Sequence, residues 1–290
     1  MTSFYSIPIE FNQDVAHLRI DHDDDNSLTF VIPVFNDNEG LERTLKSMLQ
    51  HLKCPQIIVV NDGSEYTETI KIVKICSQYP DNIELLNLSE NKGAAAARNY
   101  GASRVKTKWI GFIDCDCELD ARYERQLLLS LMFAGSQIVA VAGQVKSLGR
   151  GLIPEYMEEQ GILNPPFNYK KEPQSIITAN SIIRKCSFNE VGGFDESFSG
   201  AGGEDIDLGI RLKSVGEIAY SEKLILRHFF PNCENDFRER FVRYGKAAKK
   251  LEKKWQVNWE PKPFDVKHEH LRNLAKEQYL AMKKGYDSIE

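Results

Sequence analysis

Between Leu28 and Asp116 the chain alternates short apolar runs with amphipathic ones, and this rhythm leaves few architectures open. LTFVIPVFN (28–36), QIIVVNDGS (56–64), IELLNLSE (83–90) and WIGFIDCD (109–116) are rich in branched and aromatic residues, and each stops at polar residues or glycine. Between them, GLERTLKSMLQHL carries Leu41, Leu45, Met48, Leu49 and Leu52 at helical spacing. TETIKIVKICSQY and AAAARNYGASRV complete the alternation. Short apolar strands separated by helices predict βαβ units and a mostly parallel α/β sheet flanked by helices on both faces. Ligands of such sheets bind beyond the carboxyl ends of the strands. Those ends are Pro33 to Asn36, Asn61-Asp62-Gly63, Asn91-Lys92-Gly93 and Asp114 to Asp116, which predicts one shared crevice.

Further along, RYERQLLLSLMFA reads as a helix and QIVAVAGQV as a strand, and residues 146–175 read as a long loop. SIITANSIIRKCSF and IAYSEKLILRHF read as strands flanking the helix IDLGIRLKSVG. The last sixty residues read as basic helices broken by Pro261-Lys262-Pro263. The predicted organisation is a polar lead-in over 1–27, a catalytic unit over 28–230 (a nucleotide-binding half over 28–120 and an acceptor half over 121–230), and a basic helical extension over 231–290.

With 290 residues, 42% of them hydrophobic, the chain can bury a core. It has no run of about 20 apolar residues to span a bilayer, and MTSFYSIPIEFNQD does not read as a secretory signal, so a soluble cytoplasmic protein is expected. Six scattered cysteines fit reduced thiols, and a net charge of −5 gives no reason to expect a nucleic-acid partner. The acidic run Asp21 to Asp25 reads as a solvated loop.

The tip of the fourth run, Asp114-Cys115-Asp116-Cys117, admits several chemistries. A thiolate zinc site wants four ligands, and Cys54, Cys76, Cys186 and Cys233 offer no second pair at workable spacing. The two acids suit Mg2+ or Mn2+, whose remaining positions go to water and substrate phosphates; a plain turn suits them equally. Asn61-Asp62-Gly63-Ser64 is a turn signal whose acid could also accept from a nucleobase or ribose. Lys92 and Gly93 open the alanine-rich helix, where a phosphate would be favoured; the alanines are also explained by helix propensity and close packing. Arg98 is either a surface charge or a nucleotide contact. In GGFDESFSGAGGEDIDL, Glu204 and Asp205 stand where a helix begins, as caps or as a general base on a mobile glycine-rich loop. Capping predicts a depressed carboxylate pKa, which weakens a base. His228 is either a structural histidine or a third metal ligand.

Taken in order, IPVFN, VVNDGS, NKGAAAARNYG, FIDCDCEL, VGGFDESF and GGEDIDL resemble the motifs of family 2 glycosyltransferases with the GT-A fold, over roughly residues 28–230. The resemblance implies a nucleotide-sugar donor, usually a uridine diphosphate sugar, a divalent cation (Mn2+ or Mg2+), and inverting transfer to a hydroxyl of a saccharide or lipid-linked saccharide. By the same resemblance Pro33 and Phe35 wall the nucleoside pocket with Glu39 nearby, and Asp62 meets the uracil. Lys92, Gly93 and Arg98 contact the nucleotide. Asp114 lies on the ribose or sugar side, Asp116 and His228 ligate the metal, Asp205 is the base, and Glu204 contacts acceptor or sugar. Cys115 and Cys117 fill permissive positions.

Two other classes stand beside this one. A nucleotidyltransferase would carry a glycine-rich basic signature after the first strand, where IPVFNDNEGLE is acidic. A non-catalytic nucleotide-sugar-binding protein would lack Asp116 or Asp205. In the basic tail, Phe237, Phe241 and Tyr244 interleave with arginines and lysines, so 237–255 could lie on an anionic membrane, pack on the catalytic unit or dimerise.

Overall fold

A computed structural model describes residues 27–198, 200 and 202–289. The acidic run at 21–25 and nearly all of the lead-in lie outside the described residues. The four opening runs form β1 (Leu28–Val34), β2 (Gln56–Asp62), β3 (Ile83–Leu88) and β4 (Trp109–Ile113), all parallel, joined by α1 (Asn38–His51), α2 (Tyr66–Cys76) and α3 (Ala94–Arg104). There follow β5 (Cys117–Leu119), α4 (Tyr123–Met132), β6 (Ile138–Ser147), α5 (Leu152–Glu159), β7 (Asn180–Arg184), α6 (Lys185–Glu190), α7 (Glu204–Leu212), β8 (Glu217–His228), α8 (Glu234–Trp255) and α9 (Arg272–Asp287). The sheet order is β3-β2-β1-β4-β7-β6-β8-β5. β7 runs antiparallel to β4 and β6, and β5 antiparallel to β8; the rest share one direction.

Alternation along β1 sends Phe30 and Ile32 to one face and Val31 to the other. The first face packs on Leu41, Leu45 and Met48 of α1, Ile72 of α2 and Leu127 of α4. The second packs on Ala95 and Ala97 of α3 and Leu208 of α7. Here the alanine run earns its place by proximity: a Cβ on Gly101 would stand 2.4 Å from Cγ1 of Val31, so α3 rides directly on the strand.

Two expectations change. The segment 146–175 contains α5, whose Ile153, Tyr156 and Met157 anchor a third apolar cluster with Phe237 and Phe241 of α8 and Ala275 and Ala281 of α9. The run 175–188 is strand only over β7, because α6 begins at Lys185.

In the basic tail, the apolar face of α8 is covered by α5 and α9. Gly245 and Gly285 bring α8 and α9 into backbone contact, since a Cβ on Gly245 would meet the Met282 carbonyl oxygen at 1.9 Å. The face that would enter a membrane is therefore already packed. Among the described residues, no helix is long and apolar enough to cross a bilayer.

Candidate active site

Three groups of side chains gather at the carboxyl ends of the central strands. The first depends on β5, which follows β4 after the Asp114–Asp116 turn. Thr44 of α1 fastens it: its Oγ1 accepts from the Cys117 amide at 2.8 Å and donates to the Cys117 carbonyl at 2.9 Å. β5 pairs with the end of β8 so that Cys117 stands opposite His228, and the Phe229 amide donates to the Asp116 carbonyl. A histidine remote in sequence is thereby set against the strand-end acids. His228 Nε2 lies 3.1 Å from Asp116 and 3.8 Å from Asp114. The other ring nitrogen, Nδ1, is 2.8 Å from the Phe229 carbonyl oxygen, and a proton on Nδ1 donated to that carbonyl would turn Nε2 toward a cation as the ligating atom. Burial raises the Asp116 pKa, with His228 pulling against it.

Asp116, Cys117 and His228 place ligand atoms within 4.8 Å of one another. The Cys117 thiol is buried, and burial followed by the neighbouring Asp116 pushes its pKa well up, so it stays neutral. The oxygen of Asp116 and the imidazole of His228 are the donors that fit Mn2+ or Mg2+, since these hard cations take oxygen and nitrogen in preference to sulfur.

The second group is built on Arg98, which the sequence left between surface charge and nucleotide contact. It is neither exposed nor free. Nη1 donates to Glu204 and Nη2 to Asp114, each at 2.8 Å, and the guanidinium faces the Phe194 ring. Glu204 also accepts from the Gly202 amide at 2.7 Å, closing the loop before α7 on itself. Gly203 caps α7 at φ 88°, a left-handed conformation suited to glycine. Asp205 is 8% exposed, and its Oδ1 accepts from the next amide, that of Ile206. The depressed pKa expected of a cap is corrected here. Burial and the adjacent Glu204 outweigh Arg98 and the amide and push Asp205 up to about 7.

The third group holds Asp62, whose carboxylate accepts from the amides of Lys92 (2.8 Å) and Gly93 (3.0 Å), folding the start of α3 over the end of β2. Gly93 takes φ 90° there. The Lys92 side chain extends into solvent, and Pro33 is half-buried in β1.

A cleft of about 580 Å³ opens beside Asp116. It is lined by Phe35, Glu39 and Arg43 from the β1–α1 region and by Phe229 with Arg240 and Arg243 of α8, Arg43 lying over the Phe229 ring. Of the residues the sequence singled out, Phe35, Glu39 and Asp116 line this cleft, while Pro33, Asp62, Lys92 and Arg98 do not. No motif marked Arg43, and of the three readings of the basic helix, packing on the catalytic unit is the one that brings Arg240 and Arg243 to this cleft. Nor did any motif mark Asp207, 0% exposed, which accepts from Arg211, Lys254 and Trp255 and so ties α7 to the end of α8.

The sequence profile described as Glycosyl transferase family 2 matches residues 29–193. The pre-mycofactocin glycosyltransferase of Mycobacterium tuberculosis is 30% identical over 234 residues, covering 77% of this chain and 47% of the relative. The validoxylamine A glucosyltransferase of Streptomyces hygroscopicus subsp. limoneus is 27% identical over 224 residues, covering 65% of this chain and 48% of the relative. The chain thus spans about half the length of these curated relatives. Among solved structures, the mannosyltransferase PcManGT from Pyrobaculum calidifontis, in complex with GDP-Man and Mn2+, superposes with a TM-score of 0.59 at 12% identity, over 90% of this chain and 73% of the other. The fold is GT-A.

Proposed function

The chain belongs to glycosyl transferase family 2, and we propose that it moves a sugar from a nucleotide-sugar donor, a uridine diphosphate sugar, to a hydroxyl of a saccharide or lipid-linked saccharide, with inversion and with a divalent cation. One observation carries this reading. A metal-competent pair, Asp116 and His228, and a buried carboxyl with a pKa of about 7, Asp205, are joined through Asp114, Arg98 and Glu204.

Asp116 and His228 would hold Mn2+ or Mg2+. When bound, the cation neutralises charge developing on the departing diphosphate. Phe35 and Pro33 wall the nucleoside, with Glu39 close by. Asp62 keeps lone pairs for the base beyond the two amides it already accepts. Lys92 and the start of α3 at Gly93 add positive potential toward the phosphates. Asp114 faces the ribose or sugar. Arg98 serves as the positioning residue between Asp114 and Glu204, and Glu204 shapes the loop that receives sugar and acceptor.

In the transfer the acceptor oxygen forms a bond to the anomeric carbon as the bond from that carbon to the phosphate oxygen breaks. The diphosphate leaves with the electron pair, and the acceptor proton passes to Asp205. A carboxylate whose pKa lies near 7 accepts that proton better than one of ordinary acidity, and general-base catalysis of this kind contributes about 10²–10⁴-fold. The test is a panel of nucleotide sugars incubated with Mn2+, scoring nucleoside diphosphate release. Transfer from one donor, with Asp205→Asn binding that donor but not transferring, is the expected result. Neither binding nor transfer with any donor would overturn the reading.

A further inference from the structure

We propose that α8, which lies beyond the span matched by the family profile, supplies an anion subsite to the donor cleft. Arg43 of α1 and Arg240 and Arg243 of α8 line the same cleft, and together they grip the diphosphate of the donor beside Asp116. This inference rests on the donor reading above and assigns residues to it that no motif indicated.

The geometry is organised by three successive residues at the end of β8. His228 faces Asp116, and its ring stacks on Phe230 at 4.7 Å between centroids. The guanidinium of Arg240 lies 5.4 Å from the Phe230 ring centre, and that of Arg43 lies 4.8 Å from the Phe229 ring centre. The same backbone that delivers the metal-side imidazole therefore parks two arginines next to it. A guanidinium resting on an aromatic face keeps its in-plane N–H groups available, and that planar fork matches phosphate oxygens.

Arg240 bonds Tyr244, but these arginines keep donors for a ligand. Among the described residues, none of Arg43, Arg240 and Arg243 forms an ion pair within 4.0 Å, although Asp37, Glu39, Asp236 and Glu239 line the same cleft. Asp37 is occupied in part by capping α1, accepting from the Gly40 amide at 2.8 Å. Nη1 of Arg43 is buried with no hydrogen-bond partner among the described residues, a costly state for a charged donor unless a ligand completes it. Arg240 is held by Tyr244 and feels the charges of Asp116 and Asp114, which places it on the metal side of the cleft. An anion reaching from a cation on Asp116 and His228 into this cleft would meet all three.

The test titrates uridine diphosphate, guanosine diphosphate and inorganic pyrophosphate into the full chain with Mn2+ present, by calorimetry. The panel is the wild type, Arg240→Gln, Arg243→Gln and Arg43→Gln. Arg243 is exposed, so its substitution leaves packing intact, and a thermal melt checks the fold of each variant. The expected result is a loss of about tenfold or more in affinity for nucleoside diphosphate and for pyrophosphate in Arg240→Gln and Arg243→Gln. Unchanged affinities in folded variants would overturn the subsite while leaving the donor reading intact. A wild type that binds pyrophosphate through these arginines but no nucleotide would sink the donor reading and keep the subsite. A wild type that binds neither would end both.

Discussion

Asp114 and Glu204 meet through one buried guanidinium: Arg98 donates to each at 2.8 Å. Strand end β4 and the loop before α7 therefore cannot move independently without breaking a charged bond. Glu204 passes the constraint on to the Gly202 amide, and its neighbour in sequence is Asp205.

Replacing this hub separates charge from geometry. Arg98→Leu leaves two carboxylates facing each other without a counter-charge and is expected to cost about 3–5 kcal/mol of stability. Arg98→Lys keeps the charge but cannot reach both acids with a planar fork, so an intermediate loss is expected. Urea unfolding of the two variants reads the order. Equal stability of Arg98→Leu and wild type would mean the bridge holds nothing together.

The raised pKa of Asp205 makes a prediction for rate and for stability. As a base it must be deprotonated, so kcat/KM is expected to climb through an apparent pKa of about 7, with roughly tenfold less activity at pH 6 than on the plateau. Folding shows the opposite trend. The folded carboxyl holds its proton up to about 7, against an ordinary value of 3.8, so its contribution to stability declines as pH rises across that window. Asp205→Asn should therefore gain on the wild type in melting temperature between pH 4 and pH 7, level off above, and be inactive throughout. A pH-independent difference in melting temperature would contradict the raised pKa.

Much of this was legible in the chain and some was not, for physical reasons. β1 to β4 and the acids at their ends follow from local pattern, because a strand stopped by Asp-Gly or Asp-x-Asp has to place those groups at its carboxyl end. His228 needed the pairing of β5 with β8, in which Cys117 and His228 stand opposite. The pKa of Asp205 depended on burial, which a helix-start motif does not encode. Arg240 sat in a basic amphipathic helix, and periodicity reports that a face is apolar without naming what covers it. α5 escaped detection within a Gly-, Pro- and Tyr-rich segment because it is short and draws its stability from packing on α8.

Metal dependence should divide the three residues of the first group. Transfer is expected to stop with a chelator and return with Mn2+ or Mg2+. His228→Ala should raise the Mn2+ concentration required by about tenfold or more, since one of two fitting donors is lost. Cys117→Ala should leave that requirement unchanged, because Mn2+ and Mg2+ take oxygen and nitrogen donors in preference to sulfur. Activity followed against free Mn2+ concentration checks both, and a shift in Cys117→Ala equal to that in His228→Ala would make the thiol a ligand.

The contact between α8 and α9 ties stability to the donor cleft. Gly245 and Gly285 let the two backbones touch, with a Cβ on Gly285 standing 2.0 Å from the Val242 carbonyl oxygen and one on Gly245 meeting that of Met282. Gly245→Ala must push the helices apart, at an expected cost of about 1–3 kcal/mol. The same helix carries Arg240 at the cleft, and its far end holds Lys254 against Asp207 and Asp195, so displacement should be felt at both. The expected outcome is a lower melting temperature together with a higher KM for the donor. An exposed control on the same helix, Lys253→Ala, should change neither. A destabilised Gly245→Ala with an unaltered KM would show that α8 can shift without disturbing the cleft, and would separate its structural contact with α9 from its place at the donor site.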